Sequence, residues 1–120
     1  MKQKIVIVDD DNLICDLYSD FFKQHDFEVH TALSVDAALK IIRREVPDII
    51  LSDIVMPVKS GFDLYEEVKL LDPDIPFIFM TGYEHDKEII SKLKKVDCKW
   101  IFKPVKLEEL LNLVLSQLKN

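Results

Sequence analysis

The chain has 120 residues, 48% of them hydrophobic, with two glycines and five prolines; this suits one domain, residues 1–120, with a real core and no long disordered stretch. A formal charge of −6 argues against direct nucleic-acid binding, which is built from Lys and Arg neutralising phosphates. Cys15 and Cys98 form no CxxC pair and Ile5–Val8 runs at once into Asp9-Asp10-Asp11, so no disulfide framework, thiolate metal site, signal peptide or membrane span is predicted, and a reducing cytoplasm is the expected location.

Ile5-Val6-Ile7-Val8 is a β-branched run that predicts a first strand. Ile14, Leu17, Tyr18, Phe21 and Phe22 follow at i, i+3, i+4, i+7 and i+8, the stripe of a core-facing helix. Glu28-Val29-His30-Thr31 is the second predicted strand, and Ala38, Leu39 and Ile42 mark the second helix. Ile49-Ile50-Leu51 is the third strand, followed by a helix carrying Leu64, Tyr65, Val68 and Leu71. Phe77–Met80 and Trp100-Ile101-Phe102 are the fourth and fifth strands, with a helix through Ile89, Ile90 and Leu93 between them. Leu107, Leu110, Leu111, Val114, Leu115 and Leu118 close the chain as a last helical stripe. The order is (βα) repeated five times. Strands joined by helices of this length are parallel, and near-continuous apolar strands imply a sheet covered on both faces, which defines the doubly wound α/β class. Such sheets bind ligands beyond the carboxyl ends of their strands, where the strand order reverses.

The residues just past the strands are Asp9-Asp10-Asp11, Asp53, Thr81 and Lys103. Carboxylates brought together there repel, at roughly 4 kcal/mol per pair about 4 Å apart for an effective dielectric near 20. A cation is therefore expected among them. Oxygen donors select hard cations, and a few carboxylates with open water positions suit Mg²⁺, which shares its shell readily with a phosphate.

Val8-Asp9-Asp10-Asp11, Leu51-Ser52-Asp53-Ile54-Val55-Met56-Pro57 with Gly61 beyond it, Thr81-Gly82 and Lys103-Pro104 occur in order, each at a strand end. In these segments, and over essentially the whole chain, the sequence resembles the receiver domain of two-component response regulators. The resemblance implies a flavodoxin-like (βα)5 sandwich with strand order 2-1-3-4-5. It implies Asp53 as phosphoacceptor and Asp9, Asp10, Asp53 and the Val55 backbone carbonyl around Mg²⁺, with Asp9 acting through a bound water. Lys103 and Thr81 would steady the transferring group, a switch would couple Thr81 to Trp100, and the Lys103-Pro104 bond would be cis. The implied partners are a histidine kinase or phosphotransfer protein and a downstream protein or output domain, with no direct nucleic acid and no membrane. Such a domain is no enzyme beyond its own phosphorylation and dephosphorylation. Val55 and Tyr83 stand where the family tunes loss of the phosphoryl group, and neither carries an acid or amide to orient water. Where members often have Gly-Ala before the last strand, this chain has Val96-Asp97, so the turn there is expected to differ.

Plainer readings apply elsewhere. Asp11 suits a helix N-cap, and Met56 suits packing. His25, His30 and His85 lack metal-ligand spacing and are assigned no role; Cys15 and Cys98 read as bystanders. Lys92, Lys94 and Lys95 read as a solvated face that complements a helix dipole. Two other functions compete: a phosphate-independent interaction module of the same fold, and a small Mg²⁺-dependent phosphohydrolase. Loss of an acid or of the lysine would favour the first, and neither is lost. The second needs a substrate-selecting cap, for which 120 residues leave no room.

Overall fold

β1 (Lys4–Val8), α1 (Asn12–Gln24), β2 (Glu28–Ala32), α2 (Val35–Glu45), β3 (Ile49–Asp53), α3 (Gly61–Leu71), β4 (Phe77–Thr81), α4 (Lys87–Lys95), β5 (Lys99–Phe102) and α5 (Leu107–Leu118) alternate along the chain. They belong to a computed structural model that describes residues 2–118. All strand pairs are parallel and the order is β2-β1-β3-β4-β5, as predicted. Strand order reverses between β1 and β3, so the ends of those two strands form the crevice where such a sheet binds its ligand.

The period-2 alternation of a strand divides the core into two layers. Val6, Val8, Ile50, Phe77 and Phe79 face α2, α3 and α4, meeting Ala38, Leu39, Ile42, Leu64, Val68 and Leu93. Ile5, Ile7, Ile49, Leu51, Ile78 and Met80 face α1 and α5, meeting Tyr18, Phe22, Leu110 and Val114. Leu17, Leu71 and Leu115, which the helical stripes would bury, are exposed, whereas Cys15 is buried. A helix lying on a sheet buries a narrower line than its whole apolar stripe. On α1 that line runs through Cys15, Tyr18 and Phe22, leaving Leu17 on the outer shoulder.

The helices start where side chains satisfy their free N–H groups. Asp11, Ser34, Ser60 and Asp86 are the N-caps, and Ser60 forms a reciprocal capping box with Asp63. Asp11 thus has the capping role expected of it. At Val96, α4 gives way to extended backbone with φ −86° and ψ 146°, and residues 96–98 bend into β5 without a glycine turn.

Two β-branched residues take left-handed backbone, Val46 with φ 48° and Val58 with φ 72°. This costs such a residue on the order of 1–2 kcal/mol, whereas Asn tolerates it. Val46 ends α2, donates its N–H to the Ile42 carbonyl at 3.0 Å and points its side chain to solvent. Val46→Asn keeps that bond and is expected to raise the unfolding free energy by about 1 kcal/mol, read as a higher urea midpoint at constant slope. An unchanged or lower midpoint would show that no strain is stored there.

Candidate functional site

The first acid is placed by the sheet. The Asp9 N–H donates to the Ala32 carbonyl at 3.1 Å, which continues the β1–β2 pairing one residue past Val8 and carries the carboxylate inside, 1% exposed. Asp9 Oδ1 accepts from the Asp11 N–H at 2.9 Å, and Oδ2 accepts from Lys103 Nζ at 3.0 Å. Asp10, next along, is exposed. Asp53 is the last residue of β3 and is 9% exposed. Its Oδ1 accepts from the Ile54 N–H at 2.9 Å, while Oδ2 lies 3.5 Å from Lys103 Nζ. One carboxylate oxygen from each of Asp9, Asp10 and Asp53 falls within 4.8 Å of the other two.

Lys103 is brought in from the far side of β4. Its N–H donates to the Thr81 carbonyl at 2.7 Å, which ties the ends of β4 and β5 and aims the side chain back over β3 and β1. The Lys103-Pro104 bond is cis. Asp9, Asp10, Asp53, Val55, Tyr83 and Lys103 line an open cleft of about 610 Å³. Thr81 is fully buried and does not line it. The Thr81 hydroxyl accepts from the Tyr83 N–H at 3.0 Å, so its own proton stays free for another acceptor.

Neighbours outside the predicted set shape the site. A Cβ on Gly61 would collide with the Asp53 carbonyl oxygen, and the Gly61 N–H donates to the Ile54 carbonyl at 2.7 Å. Glycine at this position lets α3 begin directly against the end of β3. The Cys15 thiol donates to the Asp9 carbonyl at 3.4 Å, and burial, with the Asp9 charge adding, pushes it up to about 11. Cys15 is thus an inert prop beneath the acidic turn. Only its place on the buried line of α1 could have indicated that. Met56 packs into the layer under α2 and α3.

Burial pushes the Asp53 carboxyl up to about 6; the Lys103 ammonium opposes this and the Asp9 charge adds to it. Burial by itself would pull Lys103 down, but its hydrogen bond to Asp9 and the charge of Asp53 hold it above the ordinary lysine value. Of the three clustered carboxylates, Asp9 and Asp53 share Lys103. The excess negative charge and the all-oxygen donor set fit a hard divalent cation.

The chain belongs to the family of the response regulator receiver domain, which it matches over residues 5–115. It is 33% identical over 106 residues to the response regulator SaeR of Staphylococcus epidermidis, covering 88% of this chain and 46% of that protein. The SaeR protein of Staphylococcus aureus is 30% identical over 119 residues, covering 97% and 52%. The chain therefore spans about half the length of these relatives. Among solved structures, a CheY-like response regulator receiver domain protein from Methanospirillum hungatei superimposes with a TM-score of 0.88 at 30% identity, covering 98% of this chain and 94% of that one. The chemotaxis response regulator CheY4 of Vibrio cholerae gives 0.88 at 28% identity, covering 98% and 99%.

A raised Asp53 pKa favours the folded state while the carboxyl is protonated, so its contribution is complete below the ordinary value of 3.8 and is lost as pH rises through about 6. Asp36 and Glu45 are lowered, Asp36 by its hydrogen bond to Lys59 and Glu45 by its hydrogen bond to Arg44; their contributions fade only at more acid pH, with the opposite sign. In chelator, wild-type protein is expected to lose on the order of 2 kcal/mol relative to Asp53→Asn between pH about 4 and about 6. Denaturation of both proteins in parallel across this window measures it, and curves that stay parallel would show that Asp53 does not carry the shift.

Proposed function

We propose that Asp53 accepts a phosphoryl group from the phosphohistidine of a histidine kinase or phosphotransfer protein, in a divalent-cation-dependent reaction in the cytoplasm. The chain then passes the signal to a downstream protein or output domain through a change of shape. The observation that carries this reading is Asp53 Oδ2, which faces the Lys103 ammonium at 3.5 Å beside two further carboxylates at the mouth of an open cleft. The free thiols of Cys15 and Cys98 accord with a reducing compartment.

With a pKa of about 6, Asp53 is largely ionised near neutrality and needs no separate base. Its Oδ2 bonds to phosphorus as the bond from phosphorus to the donor imidazole nitrogen breaks, and that electron pair stays with the nitrogen. Lys103 neutralises charge on the transferring oxygens, with Asp9 holding the ammonium in place through its 3.0 Å hydrogen bond. The free Thr81 proton is available to one of those oxygens. Asp9, Asp10, Asp53 and the Val55 carbonyl would hold Mg²⁺, with Asp9 bridged by water; bound there, the ion supplies positive charge to the same oxygens. The chain modifies only itself and turns over no external substrate.

Incubation with a small phosphodonor and a divalent cation, followed by intact mass measurement, should show one added phosphoryl group. Asp53→Asn or a chelator should abolish it. Equal labelling of the Asn variant would sink the mechanism.

Trp100 would report the switch. It is half-buried on the edge strand β5, in register with Phe79 and packed against the layer under α3 and α4. Movement of Thr81 toward a phosphoryl oxygen frees space near this indole and biases it inward. As the chain has one tryptophan, phosphorylation should change its fluorescence intensity or emission maximum, and Thr81→Ala should weaken that response while Asp53 still labels. An unchanged spectrum on fully phosphorylated protein would exclude Trp100 as the moving part.

A further inference from the structure

We propose that Glu28, His30 and Glu45 form a second metal site, suited to a first-row divalent ion of the Zn²⁺ type. The site lies at the opposite end of the sheet from Asp53. Lys4 and Glu28 open β1 and β2 and are in register, and Glu45 is the last residue of α2, whereas Asp9 and Asp53 follow or end their strands at the other rim.

The ligands come together for separate backbone reasons. Residues two apart on a strand share a face, so Glu28 and His30 project together from β2. The return of α2 along the sheet brings Glu45 to them. His30 Nε2 lies 2.8 Å from Glu28 Oε2 and 3.7 Å from Glu45 Oε1, and one donor atom from each residue falls within 4.8 Å of the others. All three residues are half-buried on regular elements rather than on loops.

The donor set differs in kind from that beside Asp53. An imidazole nitrogen with two carboxylates suits zinc, nickel, cobalt or copper, whereas Mg²⁺ prefers oxygen throughout. Three protein ligands leave a fourth position for water in a tetrahedral shell. Arg44 Nε holds Glu45 Oε2 at 2.8 Å, which orients this carboxylate and leaves Oε1 to the ion. Lys4 Nζ, 3.6 Å from Oε1 and donating to the Glu45 carbonyl at 3.3 Å, competes for that oxygen. Its side chain is 31% exposed, so the ammonium can withdraw into solvent. An ion bound here would clip the edge strand β2 to the end of α2.

The test uses the intact, tag-free chain and Zn²⁺ itself. Titration followed by nitrogen NMR of the histidine rings is expected to move the His30 Nε2 resonance, and calorimetry to show binding that His30→Gln and Glu45→Gln each weaken. Mg²⁺ should leave the His30 ring unmoved. A His30 ring unaffected by saturating Zn²⁺, or Zn²⁺ affinity unchanged in His30→Gln, would overturn the proposal and assign the binding to other groups such as Cys98 or His85. The readout sits on β2, so failure here leaves the phosphoacceptor reading of Asp53 untouched.

Discussion

Two carboxylates can be buried at neighbouring strand ends of this sheet because one ammonium reaches both. Lys103 lies 3.0 Å from Asp9 and 3.5 Å from Asp53, and without it each buried anion would face several kcal/mol of uncompensated desolvation. The strand order makes this geometry possible. With β1 beside β3 and β4 between β3 and β5, the two acids share the crevice, while the lysine must span β4 to reach them. A long side chain anchored at its own backbone to Thr81 meets that requirement. The compensation is partial, since three clustered carboxylates stand against one ammonium. The excess negative charge fits a cation at this cluster.

Packing is uneven around this centre. β1, β3 and β4 are buried along nearly their whole length, and Phe62 and Tyr65 of α3 meet Phe77 and Phe79 of β4 in tilted and edge-to-face contacts at centroid distances of 5.0–5.7 Å. α4 buries only Leu93, and β5 has no fully buried residue. Fewer buried apolar groups mean a lower free energy of local opening. The molecule thus places rigid strands under its acids and its most yielding elements beside Lys103 and Trp100.

Much of this was legible in the sequence for physical reasons. Strands buried on both faces must be almost wholly apolar, so β1, β3 and β4 are visible in the sequence as apolar runs, and the acids are visible because Asp9 and Asp53 interrupt such runs. The helical stripes were legible in period but not in phase: Leu17 and Cys15 are two residues apart on α1, and only the docking angle on the sheet decides which is buried. The depth of Thr81 was likewise hidden, as a strand-end threonine reads the same whether or not its hydroxyl reaches the cleft. The meeting of His30 with Glu45 depends on register and on the return path of α2, and no local spacing encodes either.

The burial of Thr81 constrains how a charge on Asp53 can be felt elsewhere. Were Asp53 phosphorylated, as proposed, its one negative charge would become close to two near neutrality, and Lys103, held charged by its carboxylate neighbours, already lies 3.5 Å from Asp53 Oδ2. The Thr81 hydroxyl is buried and accepts the Tyr83 N–H, which leaves its own proton free for the phosphoryl group. A movement of that hydroxyl toward the group would act on the Tyr83 N–H bonded to it. Residues 82–88 are all exposed, so little packing resists the movement. The segment leads directly into α4, the helix with one buried residue. On the proposed mechanism, a charge on Asp53 would be passed through Thr81 and the Tyr83 N–H bonded to it toward this helix.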